Sequence, residues 1–215
     1  MYFVPWLLVK AWILPLPNTV QEQLDEAIDH GFDGMIVYID RTGQSPQYVA
    51  SGWHNRKAKI PAKPHALFKI ASISKLYNAV AVTKLVSSGR LHLDKTIAEY
   101  LPELVMRGYH VGHPFDLKKD EHGILASAED VSTFVRALND GSLFRAGEQE
   151  IYSSIYEYEH SGWVPEYQSF AEYNKERDTV VIEFFSTTDS ELYNWNLSQI
   201  MNNRIVKILK KQNSS

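Results

Sequence analysis

The chain has 215 residues, 44% hydrophobic and 22% charged, which suits one globular domain with a real core, or one with a small second part. A net charge of −4 without any long basic run argues against nucleic acid as the main partner. Having no cysteine, the chain has no disulfide framework, thiol nucleophile or Cys-based zinc site, which is compatible with any compartment.

Residues 3–16 are apolar but interrupted by Lys10, and the run is too short for a transmembrane span. They read as the remnant of a secretion signal, giving an extracytoplasmic (periplasmic or secreted) location, or as an N-terminal strand or hydrophobic lead packed on the domain; a cytoplasmic location stays open. Residues 1–18 are therefore set apart from a single domain over 19–215. A helix follows: Thr19-Val20-Gln21-Glu22 is a capping box, Val20, Leu24 and Ile28 share one face, and Gly31 closes the end. Gly34 to Asp40 and Gln47 to Trp53 flank a turn over Arg41-Thr42-Gly43-Gln44 and predict a β-hairpin. Residues 54–66, basic with two prolines, form a loop.

That loop delivers the chain to Phe68-Lys69-Ile70-Ala71-Ser72-Ile73-Ser74-Lys75 and the helix it opens. From Ile73 to Val86 the helix is apolar on nearly every side, which predicts an interior position. Ser72 sits at its mouth, where free N–H groups and the dipole favour an anion. Lys75 lies three residues on, on the same face, about 5–6 Å away between Cβ atoms. In apolar surroundings its ammonium loses the proton more readily than in water, and a serine beside such an amine is an activated nucleophile. The plainer reading makes Ser72 an N-cap and sends Lys75 to solvent.

Beyond it, Ser88 to Asp94 is a helix end and turn, and Asp94 to Pro102 a short helix stopped by proline. Residues 105–122 have no clear period. Their His110, His113 and His122, with Asp116, Asp120 and Glu121, match no compact ligand pattern, so neither metal nor cofactor is expected. Ser127-Ala128-Glu129-Asp130 is a second capping box, opening a helix with Val131, Phe134, Val135 and Leu138 inward. From residue 151 the pattern turns to strands: Ile151 to Tyr158, Glu166 to Tyr173, and the near-continuous apolar run Thr179 to Phe185 expected in mid-sheet. Asp189 can cap a last helix with Leu197, Met201, Ile205, Ile208 and Leu209 on its inner face. The order predicts an α+β fold, an α/β sandwich. Its antiparallel sheet, from 19–66 and 151–215, has the terminal helices on one face and a helical part, 67–150, with the nucleophile on the other.

The run Leu67 to Lys75 resembles the nucleophile motif of the serine β-lactamase and penicillin-binding-protein superfamily, in its class C β-lactamase, DD-peptidase and esterase branch. Leu85 to Pro102 is similar to that motif's continuation, Gly123 to Val131 to a later helix opening, and His160-Ser161-Gly162 to the third motif, Lys/His-Thr/Ser-Gly. The resemblance implies that Ser72 attacks a carbonyl and that Lys75 is general base or part of a proton relay. It further implies that His160 holds charge and hydrogen bonds near the substrate or relay, beside Ser161 and Gly162, and that the N–H groups of Ser72 and Trp163 form the oxyanion hole. On the residues alone, His160 is also readable as a surface strand residue and Gly162 as a bulge.

One motif is missing. The family's Tyr-x-Asn lies in a long helical insertion, and here only residues 105–122 occupy that interval; Tyr109 has no asparagine after it and is the sole candidate tyrosine. A family member with its helical lobe cut down is expected. Three functions follow: a serine hydrolase acting on an ester, a D-amino-acid peptide or a β-lactam; a non-catalytic binding or sensor descendant; or an incomplete gene product. Histidine in the third motif leans toward esterase or peptidase.

Overall fold

A computed structural model describes residues 6–100, 124–188 and 195–212. The apolar lead is a helix, not a strand: α1, Trp6–Ile13, buries Ala11 and leaves Trp12 and Ile13 exposed. Next comes α2, Val20–Asp29, opened by the predicted box, in which the Glu22 N–H donates to Thr19 Oγ1 (3.2 Å) and the Thr19 N–H to Glu22 Oε2 (3.1 Å). The hairpin of β1, Gly34–Arg41, and β2, Gln47–Asn55, forms as expected. Short strands β3, Ile60–Pro61, and β4, Phe68–Lys69, bring the chain to a 3₁₀ turn over Ala71–Ile73 and then to α3, Ser74–Ser87.

The helical part continues with α4, Ile97–Tyr100, β5, Leu125–Ala126, and α5, Ala128–Asn139, opened by the second predicted box. Where a strand over Ile151 to Tyr158 was expected, the chain forms α6, Glu148–Ile155. Its start follows Gly147 at φ 80°, and Tyr152 and Ile155 pack on the same core as α3 and α5. Positions four and three apart face one way only in a helix, so tertiary packing overrides the local β preference. The sheet is completed by β6, His160–Val164, β7, Tyr167–Asn174, and β8, Thr179–Ser186, and the chain by α7, Trp195–Gln212.

Among the described residues the main sheet runs β3-β2-β1-β8-β7-β6, with antiparallel pairing throughout. Alternation along its strands splits the core in two. Met35, Val37, Ile39, Phe170 and Phe185 pack under α1, α2 and α7 through Leu24, Met201 and Ile205. Ile36, Tyr38, Ala171, Ile182 and Phe184 face α3, α5 and α6. The predicted mid-sheet strand, β8, does lie between β1 and β7 and is buried on both faces.

Two arginines tie the layers together. Arg136 of α5 holds Asp40 of β1 and Asp178 beyond β7, both at 2.6 Å. Arg204 of α7 holds Gln23 (2.7 Å) and Glu26 (2.8 Å) of α2, together with the Leu14 carbonyl (2.7 Å). Burial of α3 is one-sided, contrary to expectation: Leu76, Ala79 and Thr83 are its buried residues, while Tyr77 stacks on Phe134 of α5 (3.6 Å between ring centroids).

Two buried carboxylates contrast. Glu148 accepts the Arg145 N–H (2.7 Å) and pairs with Lys84, and these donors, the backbone one first, hold its pKa below the ordinary glutamate value. Glu183, in the middle of β8, is fully buried with neither oxygen hydrogen-bonded, so burial first, and nearby Glu172 second, push its pKa well up. The folded state then binds the proton more tightly than the unfolded chain, so Glu183 lowers stability progressively as pH rises above the ordinary glutamate range. Glu183→Leu is expected to stabilise the protein at pH 8 by about 1–3 kcal/mol and by less at pH 5, as read by urea denaturation at the two pH values; a gain independent of pH would contradict this.

Candidate active site

The approach to Ser72 is fixed by aromatic packing. Phe68 stacks on Phe184 of β8 (4.6 Å, 7°) and meets Tyr167 edge-on (4.9 Å, 85°). One residue on from β4, the Ile70 N–H donates to the Ile124 carbonyl (3.2 Å). The Ile70 carbonyl in turn accepts the buried Ser169 hydroxyl of β7 (3.0 Å). Opposite Ser169 in the sheet stands Gly162. A Cβ at Gly162 would lie 2.4 Å from both Ile70 O and Ser169 Oγ and 2.9 Å from Ala71 Cβ. Glycine is therefore what lets β6 lie directly against the backbone that precedes Ser72. Ala71 itself has φ 51°, a left-handed conformation that disfavours a side chain.

Ser72 lies in the 3₁₀ turn, half-buried, and its hydroxyl makes no hydrogen bond to any described residue; it is not spent as a helix cap. Its N–H belongs to the first turn, where intrahelical partners are lacking. In front of it is a groove of about 300 Å³ lined by Ser72, His160, Ser161, Gly162 and Trp163. The structure thus brings the predicted nucleophile and the predicted third motif together across one groove.

Lys75 departs from expectation. Its side chain is exposed rather than buried and has neither a hydrogen bond to Ser72 nor an ion pair among the described residues. The reason is helical phase: Leu76 points into the core, and its neighbour Lys75 is turned about 100° away from it.

His160 pairs with Ala171 and Gly162 with Ser169, and residues directly opposite in a sheet share a face, here the α3 side. Ser161 and Trp163 pair with Phe170 and Gln168 and so belong to the other face, though Trp163 is 55% exposed. His160 Nδ1 is 2.6 Å from the Ser161 carbonyl, which requires the proton on Nδ1. Its Nε2 is 3.7 Å from Glu157 Oε1, and the ring stacks on Tyr156 (5.6 Å, 18°). The imidazole is thus held by β6 and the 156–157 segment and makes no hydrogen bond to Ser72.

Tyr109, His110, His113, His122 and Asp189 lie outside the described residues; among those described, no group of three or more His, Asp or Glu is placed to hold a metal ion. Sequence reasoning missed Ser169 and Ala71. Nothing marks Ser169 out from other small polar residues on an alternating strand, and a positive φ at alanine has no sequence signal.

A family model described as Beta-lactamase matches residues 16–113. The human mitochondrial serine β-lactamase-like protein LACTB is 33% identical over 79 residues, covering 37% of this chain and 14% of that protein. Protein flp of Staphylococcus aureus (strain COL) is 25% identical over 157 residues, 68% of this chain and 32% of the relative. The chain therefore spans a third or less of these relatives' length.

In fold, it is similar to D-amino acid amidase from Ochrobactrum anthropi SV3, with a TM-score of 0.71 at 12% identity, covering 90% of this chain and 99% of that one. Class C β-lactamase from Rhodobacter sphaeroides has a TM-score of 0.61 at 12% identity, covering 88% of this chain and 100% of the other. The fold is that of the β-lactamase and transpeptidase class. Over residues 16–113 the sequence is similar to the serine β-lactamase-like superfamily.

The packing around Ile70 generates a prediction. Gly162→Ala forces β6 off the Ile70–Ala71 backbone, because the atoms in the way are backbone and a hydrogen-bonded hydroxyl. A loss of about 1–3 kcal/mol in thermal or urea unfolding is expected, the usual cost of overpacking; an unchanged melting temperature would show that the contact is slack.

Proposed function

We propose that this protein is a serine hydrolase that forms an acyl-enzyme on Ser72 with a small ester, a D-amino-acid peptide or amide, or a β-lactam. The observation that carries the reading is the unspent Ser72 hydroxyl, half-buried at the groove walled by His160, Ser161, Gly162 and Trp163. Hydrolase neighbours, a D-amino acid amidase and a D-alanine carboxypeptidase among them, support the reaction class.

In the proposed reaction Ser72 Oγ attacks the substrate carbonyl carbon and its proton passes to the Lys75 amine. The N–H groups of Ser72 and Trp163 face the oxyanion, where a single donor is typically worth ~3–4 kcal/mol. The tetrahedral species expels the alcohol or amine, which takes the proton. Water then attacks the acyl-serine, releasing a carboxylic acid and restoring the hydroxyl. The His160 ring is fixed by the Ser161 carbonyl; Nε2, 3.7 Å from Glu157 Oε1, is an acceptor for the relay in the neutral ring and a donor to a substrate carboxylate only in the imidazolium.

A second reading, a descendant that binds or senses through a slow acyl adduct, is favoured by Lys75, which lies in solvent without a bond to Ser72. Both readings use one serine, and rate separates them.

A fluorescent penicillin or fluorophosphonate is expected to label the protein, and Ser72→Ala to abolish labelling while the melting curve stays cooperative. Lys75→Met should slow acylation about 10²–10⁴-fold if Lys75 is the base. Rapid turnover of a chromogenic ester assigns the hydrolase; an adduct persisting for hours assigns the sensor. Failure of folded protein to label by either probe would overturn the proposal.

A further inference from the structure

The face of the sheet opposite the Ser72 groove carries a second cavity of about 220 Å³. It lies between β7, β8 and the C-terminal half of α7. Val181 pairs with Glu172 and Ile39, which puts it on the side of the sheet that α7 covers. Val181, Val206 and Leu209 provide an apolar wall. Arg41, Arg177 and Lys210 line the same cavity, against two carboxylates, Glu159 and Glu172.

Arg177 is the informative residue. Its amide N–H donates to Asn174 Oδ1 (3.0 Å) and its carbonyl accepts the Thr179 hydroxyl (2.9 Å), so the backbone is held on both sides of the side chain. Yet Nη1 of its guanidinium is buried and hydrogen-bonds to nothing. A buried donor without an acceptor is costly, and an incoming carboxylate is the group that relieves a guanidinium best, since it accepts from two N–H at once. The neighbouring acids do not fill that role. Glu172 accepts the Asn202 amide (3.1 Å) and Glu159 the Tyr173 N–H (3.4 Å). A cavity with a guanidinium short of an acceptor at one side and valine and leucine at the other fits an amphipathic anion.

We propose that this cavity is a binding site for a short-chain carboxylate, its head on the Arg177 guanidinium and its tail along Val181, Val206 and Leu209. The cavity is smaller than the usual ligand pocket, which limits the tail to a few carbons. The site is separate from Ser72 and does not rest on the chemistry proposed there.

The test titrates hexanoate into the whole chain while amide NMR shifts are followed, with hexan-1-ol and hexylammonium as comparison ligands. Hexanoate is expected to give saturable shifts at residues 172–181 and 204–210, at least tenfold tighter than either comparison ligand. Arg177→Gln should weaken this binding tenfold or more, and Ser72→Ala should leave it unchanged. Val206→Trp, on a half-buried position of the wall, should abolish it with the helical circular dichroism intact, and this variant decides the matter if Arg177→Gln fails to fold. Equal binding of hexan-1-ol or hexylammonium, hexanoate shifts confined to 160–163, or full affinity in Val206→Trp would each overturn the proposal.

Discussion

The carbonyl of Ile70 is where the two halves of the molecule meet. Ser169 donates to it from β7 while Gly162 of β6 lies flat against the same peptide. Phe68, two residues earlier, is clamped between rings of β7 and β8. These contacts hold Ala71 in a left-handed conformation that costs ~1–3 kcal/mol. One neutral hydrogen bond contributes about 0.5–1.5 kcal/mol and one aromatic pair a similar amount, so no single contact holds the turn but together they do. The position of Ser72 relative to the sheet follows from that sum.

The same arrangement explains what the site has and what it lacks. Among the described residues β6 is the edge of the sheet, so its outer side, with His160 to Trp163, is the wall of an open groove. Helix α3, which carries Lys75, is covered on one flank by α5 and α6 and faces water on the other. Water in the groove weakens every electrostatic term that an excluded site would strengthen. For the proposed acyl-enzyme chemistry, a serine placed by a rigid turn and a lysine left in water set a modest rate, and the fold alone does not fix how modest.

Charge is handled differently on the two sides of the sheet. On the nucleophile side the buried acid Glu148 is matched by the Arg145 N–H and Lys84, and Arg136 is matched by Asp40 and Asp178. On the α7 side, Arg204 is fully engaged with α2 and the Leu14 and Pro15 carbonyls, whereas Glu183 and the Arg177 Nη1 have no partner. Unmatched buried polar groups are uncommon enough to ask for a reason. Burial pushes the Glu183 pKa well up, which favours its neutral form. The guanidinium has no such option, since it does not deprotonate, and this asymmetry is why the second cavity reads as a site.

Local chemistry written in adjacent residues was legible in the chain itself. The two capping boxes, the hairpin, the near-continuously apolar mid-sheet strand and the inner face of the last helix each depend on spacings of two to four residues, and all appear where the spacing puts them. The run around Ser72 and its continuation also carried the likeness to the β-lactamase family, which the family model matches over residues 16–113. What the tertiary structure alone decided was everything that depends on which neighbour arrives from far along the chain. Ile151 to Ile155 became helix because Tyr152 and Ile155 had a core to fill; Lys75 reached water because only the Leu76 flank of α3 met that core; and Ile70 acquired its Ser169 partner from 99 positions away. Sequence period sets which residues share a face, but it does not say what that face will meet.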